Sequence, residues 1–188
     1  MADHATPPRP DDRPVPVVDC ALYERGERRA GALPLTEAMD EARACPDSFV
    51  WIGLREPTAD QLNVVADAFG LHPLAVEDAV NAHQRPKLER YDDSLFLVLK
   101  TAVYVEHDRL TPTSEVVSTG EIMIFVGRDF AVVVRHGDSP DLRGVRRQLE
   151  TQPELLAHGP AAVVHAIADT VVDQYLDVIR AVEADVEQ

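Results

Sequence analysis

Read from its start, the chain changes hydrophobic period several times. Residues 1–14, MADHATPPRPDDRP, are rich in Pro, Asp and Arg and carry no apolar spacing that could anchor them to a core, so they read as a disordered tail. Over 15–32 two short apolar runs flank Gly26, the pattern of a small hairpin turning near residues 24–27. LTEAMDEARA, 35–44, has helical character, with Thr36 as the expected N-cap and Pro46 forbidding continuation. SFVWIGL, 48–54, is apolar almost without interruption and reads as a buried strand.

The next segments carry sharper punctuation. Thr58 and Gln61 form a capping-box pair ahead of a helix whose Leu62, Val65, Ala66 and Phe69 share one face, and Gly70 closes it. Pro73 occupies a favoured first helical position and opens a second helix that runs to about residue 81, before Pro86. Three β-rich runs follow, LFLVLKTAVYV near 95–105, EIMIFV at 121–126 and FAVVVRH at 130–136. Helices and strands interleave first and strands cluster later. This order predicts an α/β layered domain with a mixed sheet over 15–158.

From about Pro160 no Gly or Pro interrupts the chain, and 159–188 reads as the beginning of a long stalk helix. Val164, Ala168, Val171, Tyr175, Val178 and Val182 are spaced in alternating steps of four and three, the heptad spacing of a helix that packs against another helix. The first residues lack the basic start and apolar run of a signal peptide, and no stretch of about 18 consecutive apolar residues occurs.

Charge changes the picture more than size does. Thirty-three acidic residues against eighteen basic ones give a net charge of −15, which makes nucleic acid and anionic membrane surfaces poor partners and cations natural ones. Part of the acid is placed: Asp169, Asp173 and Asp177 recur every four residues, so three carboxylates line one helix face about 6 Å apart. Lys or Arg from a neighbouring element, solvent, or a hard divalent cation could balance them. Glu77 and Asp78 form a second acidic pair, but adjacent helical positions diverge by about 100°, so one of them at most reaches a given ligand.

Other chemistry finds little support. Cys20 and Cys45 match neither a zinc nor a redox spacing and read as free thiols. The seven histidines hold no His-Glu-x-x-His arrangement, and His72 is explained as a helix-entry residue before Pro73. Nucleophile elbows and phosphate-binding glycine loops are absent, which argues against an enzyme.

One run is more specific than any period. HPLAVEDAVNAHQRPKLE, within 69–101, closely resembles the corresponding stretch of the CorA family of magnesium and cobalt transporters. The likeness extends back through WIGLREPTADQLNVVADAFG and forward through FAVVVRH to AIADTVVDQYLDVI, covering about 48–188, whereas the first 47 residues match loosely. The resemblance implies a homopentameric channel whose N-terminal α/β/α domain forms a cytoplasmic funnel at the membrane, followed by a stalk helix and two membrane helices. The family's Gly-Met-Asn permeation signature would fall after Gln188. It further implies regulatory metal, Mg2+ with Co2+ or other divalent cations as alternatives, held between adjacent protomers and keeping the pore closed. Motif matching puts one carboxylate at Asp78 with Glu77 beside it, and its partner across the interface at Asp169 with Asp173 as neighbour. A zinc-transporting relative and a metal-independent oligomerisation domain are the alternative readings.

Overall fold

The computed structural model describes residues 17–29, 33–107 and 115–186; the tail expected over 1–14 lies outside these. In chain order the elements are β1 (Val17–Glu24), β2 (Glu27–Arg28), α1 (Leu35–Ala44), β3 (Ser48–Arg55), α2 (Ala59–Phe69), α3 (Pro73–Asn81), β4 (Lys87–Tyr91), β5 (Ser94–Tyr104), β6 (Val117–Val126), β7 (Phe130–Gly137), α4 (Leu142–Glu150), α5 (Pro153–Leu156) and α6 (Pro160–Val186).

The strands form one sheet in the order β2-β1-β3-β7-β6-β5-β4. Among the described strands only β3 and β7 run parallel; every other neighbouring pair is antiparallel. The mixed sheet thus follows from a single crossover, in which the chain leaves β3, travels through α2 and α3, and returns by three antiparallel strands to lie beside β3.

Alternation along the strands divides the interior in two. Val50, Ile52 and Leu54 of β3, Val132 and Val134 of β7 and Met123 and Phe125 of β6 point to one face, where α1, α2 and α3 cover them with Met39, Leu62, Val65, Phe69 and Val76. Phe49 and Trp51, Ala131 and Val133, and Ile122 and Ile124 point to the other, against Val145 and Leu149 of α4, Leu156 of α5, and Val163, Ile167 and Val171 of α6. With helices on both faces, the central strands carry continuous apolar runs, which is why β3 reads as buried from sequence. The architecture is the α/β/α layering with a mixed sheet, continued by the long helix α6.

Local chemistry sets most of the boundaries. Thr58 and Gln61 complete a reciprocal capping box at the start of α2, and Gly70 ends it at φ 66°. Pro73 is the first residue of α3, and the His72 side chain accepts a hydrogen bond from Leu74 N. The β1–β2 turn has positive φ at both Arg25 and Gly26, the twist that suits a two-residue hairpin.

Three expectations need correction. Pro34, not Thr36, is the N-cap of α1, and among the described residues no side chain caps that end; Thr36 lies within the first turn. β4 has no counterpart among the expected strands, because KLERY alternates with charge; it is an edge strand, the position where charged residues discourage pairing with another chain. Within this chain the heptad stripe of α6 faces the sheet rather than another long helix. Val171 is buried in the second core, with Val164 and Tyr175 packed against it, and the Tyr175 hydroxyl donates to Lys100 O of β5.

Candidate functional site

α3 is oriented by both of its ends. At its start the His72 ring stacks on Tyr91 of β4, centroids 4.3 Å apart. Near its end the buried His136 side chain of β7 lies 2.9 Å from Ala79 O through Nε2 and 2.9 Å from Glu56 Oε2 through Nδ1. Glu56 also accepts from Gly137 N at 2.7 Å. A buried ring with a partner for each nitrogen fixes the helix against the sheet.

This leaves Glu77 exposed on the outer surface and Asp78 half-buried toward β4. Asp78 has its own counter-ion: Lys87 Nζ donates to Asp78 Oδ2 at 2.7 Å and lies 2.8 Å from Glu89 Oε2. The ammonium also sits over the Phe96 ring at 5.6 Å, and the Tyr91 hydroxyl donates to Glu89 at 2.8 Å. The hydrogen bond to Asp78, then that to Glu89, pushes the Lys87 pKa above the ordinary lysine value. The same contact with Lys87, reinforced by Tyr91, holds Glu89 below the usual carboxylate range. Two carboxylates around one ammonium leave the group with an excess negative charge.

The stalk acids stand differently. Asp169 and Asp173 are exposed on α6, and among the described residues no ion pair neutralises either. Asp177 is 3.3 Å from Arg180 one turn on, both largely exposed, a contact worth little in water.

The two acidic sets are not brought together within one chain. α3 covers the first core and α6 the second, so Glu77 and Asp78 lie on the opposite side of the sheet from Asp169 and Asp173. Accordingly, no group of three or more His, Cys, Asp or Glu among the described residues has the arrangement of a metal site. Sequence reasoning finds the acids and misses Lys87 and Glu89. The residues stand in the RPKLE run, but only the hairpin of β4 with β5 shows that Lys87 turns back onto α3.

The chain is thus a three-layered α/β/α domain that continues into a long helix, with carboxylates on both outer layers. A family model described as CorA-like Mg2+ transporter protein matches residues 46–188, and this chain belongs to that family. It is 31% identical over 139 residues, 73% of its length and 40% of the relative's, to a Bacillus subtilis protein named as a metal ion transporter, YfjQ. Over 45 residues, 24% of this chain and 13% of the relative, it is 47% identical to the cobalt/magnesium transport protein CorA of Thermotoga maritima. The soluble domain of CorA from Methanocaldococcus jannaschii has the same fold, with a TM-score of 0.62 at 14% identity over 90% of this chain and 62% of that one. The chain spans less than half the length of the curated relatives it matches, and among its described residues no helix is long and apolar enough to cross a membrane.

Proposed function

We propose that this chain is the cytoplasmic metal-sensing portion of a divalent-cation transporter for Mg2+ or Co2+, assembled as a homopentamer at the cell membrane. In this reading a regulatory Mg2+ bridges Asp78, with Glu77 beside it, on one copy and Asp169, with Asp173 beside it, on the next. The observation that carries it is the placement of the two acidic sets on opposite faces of one sheet, which requires a second copy for them to meet.

The electrostatics give the device its direction. Unbridged, the acidic faces of neighbouring copies repel, and the domains splay; a bridging divalent ion draws them together and holds the pore closed when internal metal is plentiful. Mg2+ retains several waters, so contacts with the carboxylates are largely through its hydration shell and affinity is modest. Lys87 adds a competing cation on Asp78, which weakens the site further, while Glu89 beside it keeps the group net negative when metal is absent.

The test is the melting temperature of the chain across a Mg2+ titration at constant ionic strength, at concentrations where it self-associates. A specific ligand at a hundred times its Kd stabilises the folded state by about 2.7 kcal/mol. Asp169→Asn, which removes an exposed carboxylate without disturbing an internal contact, should abolish the rise. The absence of any rise in the self-associated wild type, or an equal rise in the variant, would overturn the assignment.

A further inference from the structure

Under the strongly acidic surface lies a cavity lined largely by arginine. It measures about 230 Å3 and sits between α4 and the sheet, with Arg28 of β2, Arg135 of β7 and Arg143, Arg146 and Arg147 of α4 around it, together with Asp19, Trp51, Leu142 and Glu150. Five guanidiniums against two carboxylates leave an excess of three positive charges in a chain whose net charge is −15.

The two carboxylates are already engaged. Asp19 pairs with Arg28 at 2.9 Å and Arg146 at 2.9 Å, while Glu150 pairs with Arg28 at 3.1 Å and accepts from the Tyr23 hydroxyl at 2.7 Å. Arg146 has further ties: it lies 4.2 Å over the Trp51 ring and donates to Trp51 O at 3.1 Å. Arg28 and Arg146 therefore serve as walls, held by the fold.

The other three have no such neutralisation. Among the described residues no carboxylate comes within ion-pair distance of Arg135, Arg143 or Arg147. Arg135 is the informative member, because it is only 6% exposed and donates to a neutral acceptor, Pro140 O, at 2.9 Å. A buried cation without a paired anion is costly, and packing alone would favour an apolar side chain there. Burial, with Arg55 and Arg143 nearby, presses its pKa below the ordinary arginine value, and only Asp141 opposes this.

We infer that this cavity is an anion site that takes a phosphate group, bound by Arg135 from the sheet and by Arg143 and Arg147 from successive turns of α4. Guanidinium forks match phosphate oxygens in pairs, and the nearly doubly negative charge of a phosphate at neutral pH suits three arginines that have no carboxylate within ion-pair distance better than a single carboxylate does. The cavity is smaller than the roughly 300–1,000 Å3 of sites for drug-sized ligands, which fits a compact group. The bound group is a free phosphate or the phosphate of a larger molecule extending into solvent. None of these residues is shared with the acidic sets, so the site stands apart from the metal reading.

The experiment uses a built-in reporter: Trp51 is the single tryptophan of the chain and lies against the cavity. Its emission and the melting temperature are followed as inorganic phosphate is titrated without divalent metal, against sodium chloride at matched ionic strength. Wild type should show a saturable response to phosphate alone, and the exposed double variant Arg143→Gln/Arg147→Gln should bind about tenfold or more weakly. Glycerol 3-phosphate, a monoester of similar charge, separates the sources as a second probe, binding more tightly than inorganic phosphate if the ligand extends beyond the cavity. A phosphate response no different from that to chloride, or one unchanged in the double variant, overturns the inference.

Discussion

The two helical layers cover the same sheet in opposite manners. The first is built of three short helices, α1, α2 and α3, whose apolar sides cover the first core; its charged group, Asp78 with Lys87 and Glu89, is paired within the chain. The second is dominated by one helix of 27 residues whose inner face lies along the sheet as far as Asp185 and whose outer face is open. Along α6, Val163, Ile167 and Val171 are buried, whereas Val172, Leu176, Ile179 and Val186 are exposed by 53, 46, 52 and 81%. The difference teaches how a single domain divides its work: the first layer pairs its half-buried acid within the chain, and the second leaves a row of apolar and unpaired acidic side chains open along one helix.

The sharpest way to break that comparison is to truncate two isoleucines of the same helix. Ile167→Ala empties a fully buried position in the second core and should cost about 2–5 kcal/mol. Ile179→Ala, about three turns further on and half exposed, should change the stability of the isolated chain by no more than about 0.5 kcal/mol. Denaturant midpoints measured at a concentration where the chain is monomeric decide between them. Equal losses would mean that the outer half of α6 packs as firmly as the inner half.

A smaller effect tests how the first layer is held. Thr58→Ala removes one side of the capping box at the start of α2 and should cost about 1 kcal/mol, read from the same denaturant transitions. Thr36→Ala in α1 should be nearly neutral, because that hydroxyl caps nothing. If the two variants lose equally, local capping is not what sets the ends of this layer.

The capping pair also marks how far sequence reasoning reaches. Elements whose signals are local, such as the Thr58 and Gln61 box, Gly70, Pro73 and the apolar runs of β3, β6 and β7, are legible because neighbours along the chain settle them. β4 is not, since a charged edge strand lacks an apolar period and its pairing with β5 is what defines it. The heptad in α6 reads as a helix–helix seam, but spacing cannot distinguish a helix partner from a sheet. Of the candidate site, the acids themselves can be found by number. Lys87 against Asp78 and the convergence of Arg135 with α4 cannot, because those contacts join residues from separate elements that only the fold brings together.

The smallest effect concerns the polar tie between the layers' ends, where Glu56 meets His136 and thereby α3. Burial pushes the Glu56 carboxyl up, but the hydrogen bonds with His136 and Gly137 N outweigh it and leave its pKa below the usual carboxylate value. A carboxyl whose pKa is lower in the folded state contributes stability that is fully present above its unfolded value of about 4.3 and is lost as pH falls through the folded value. The wild type should therefore lose stability on acidification more steeply than Glu56→Gln, with the gap between them closing below about pH 4. Because Glu56 is more than half exposed, the gap should be small and should shrink further with added salt. Denaturant midpoints across roughly pH 3–7 at two salt concentrations measure it. A gap that stays constant with pH would mean that Glu56 holds α3 by hydrogen-bond geometry alone, with its charge playing no part.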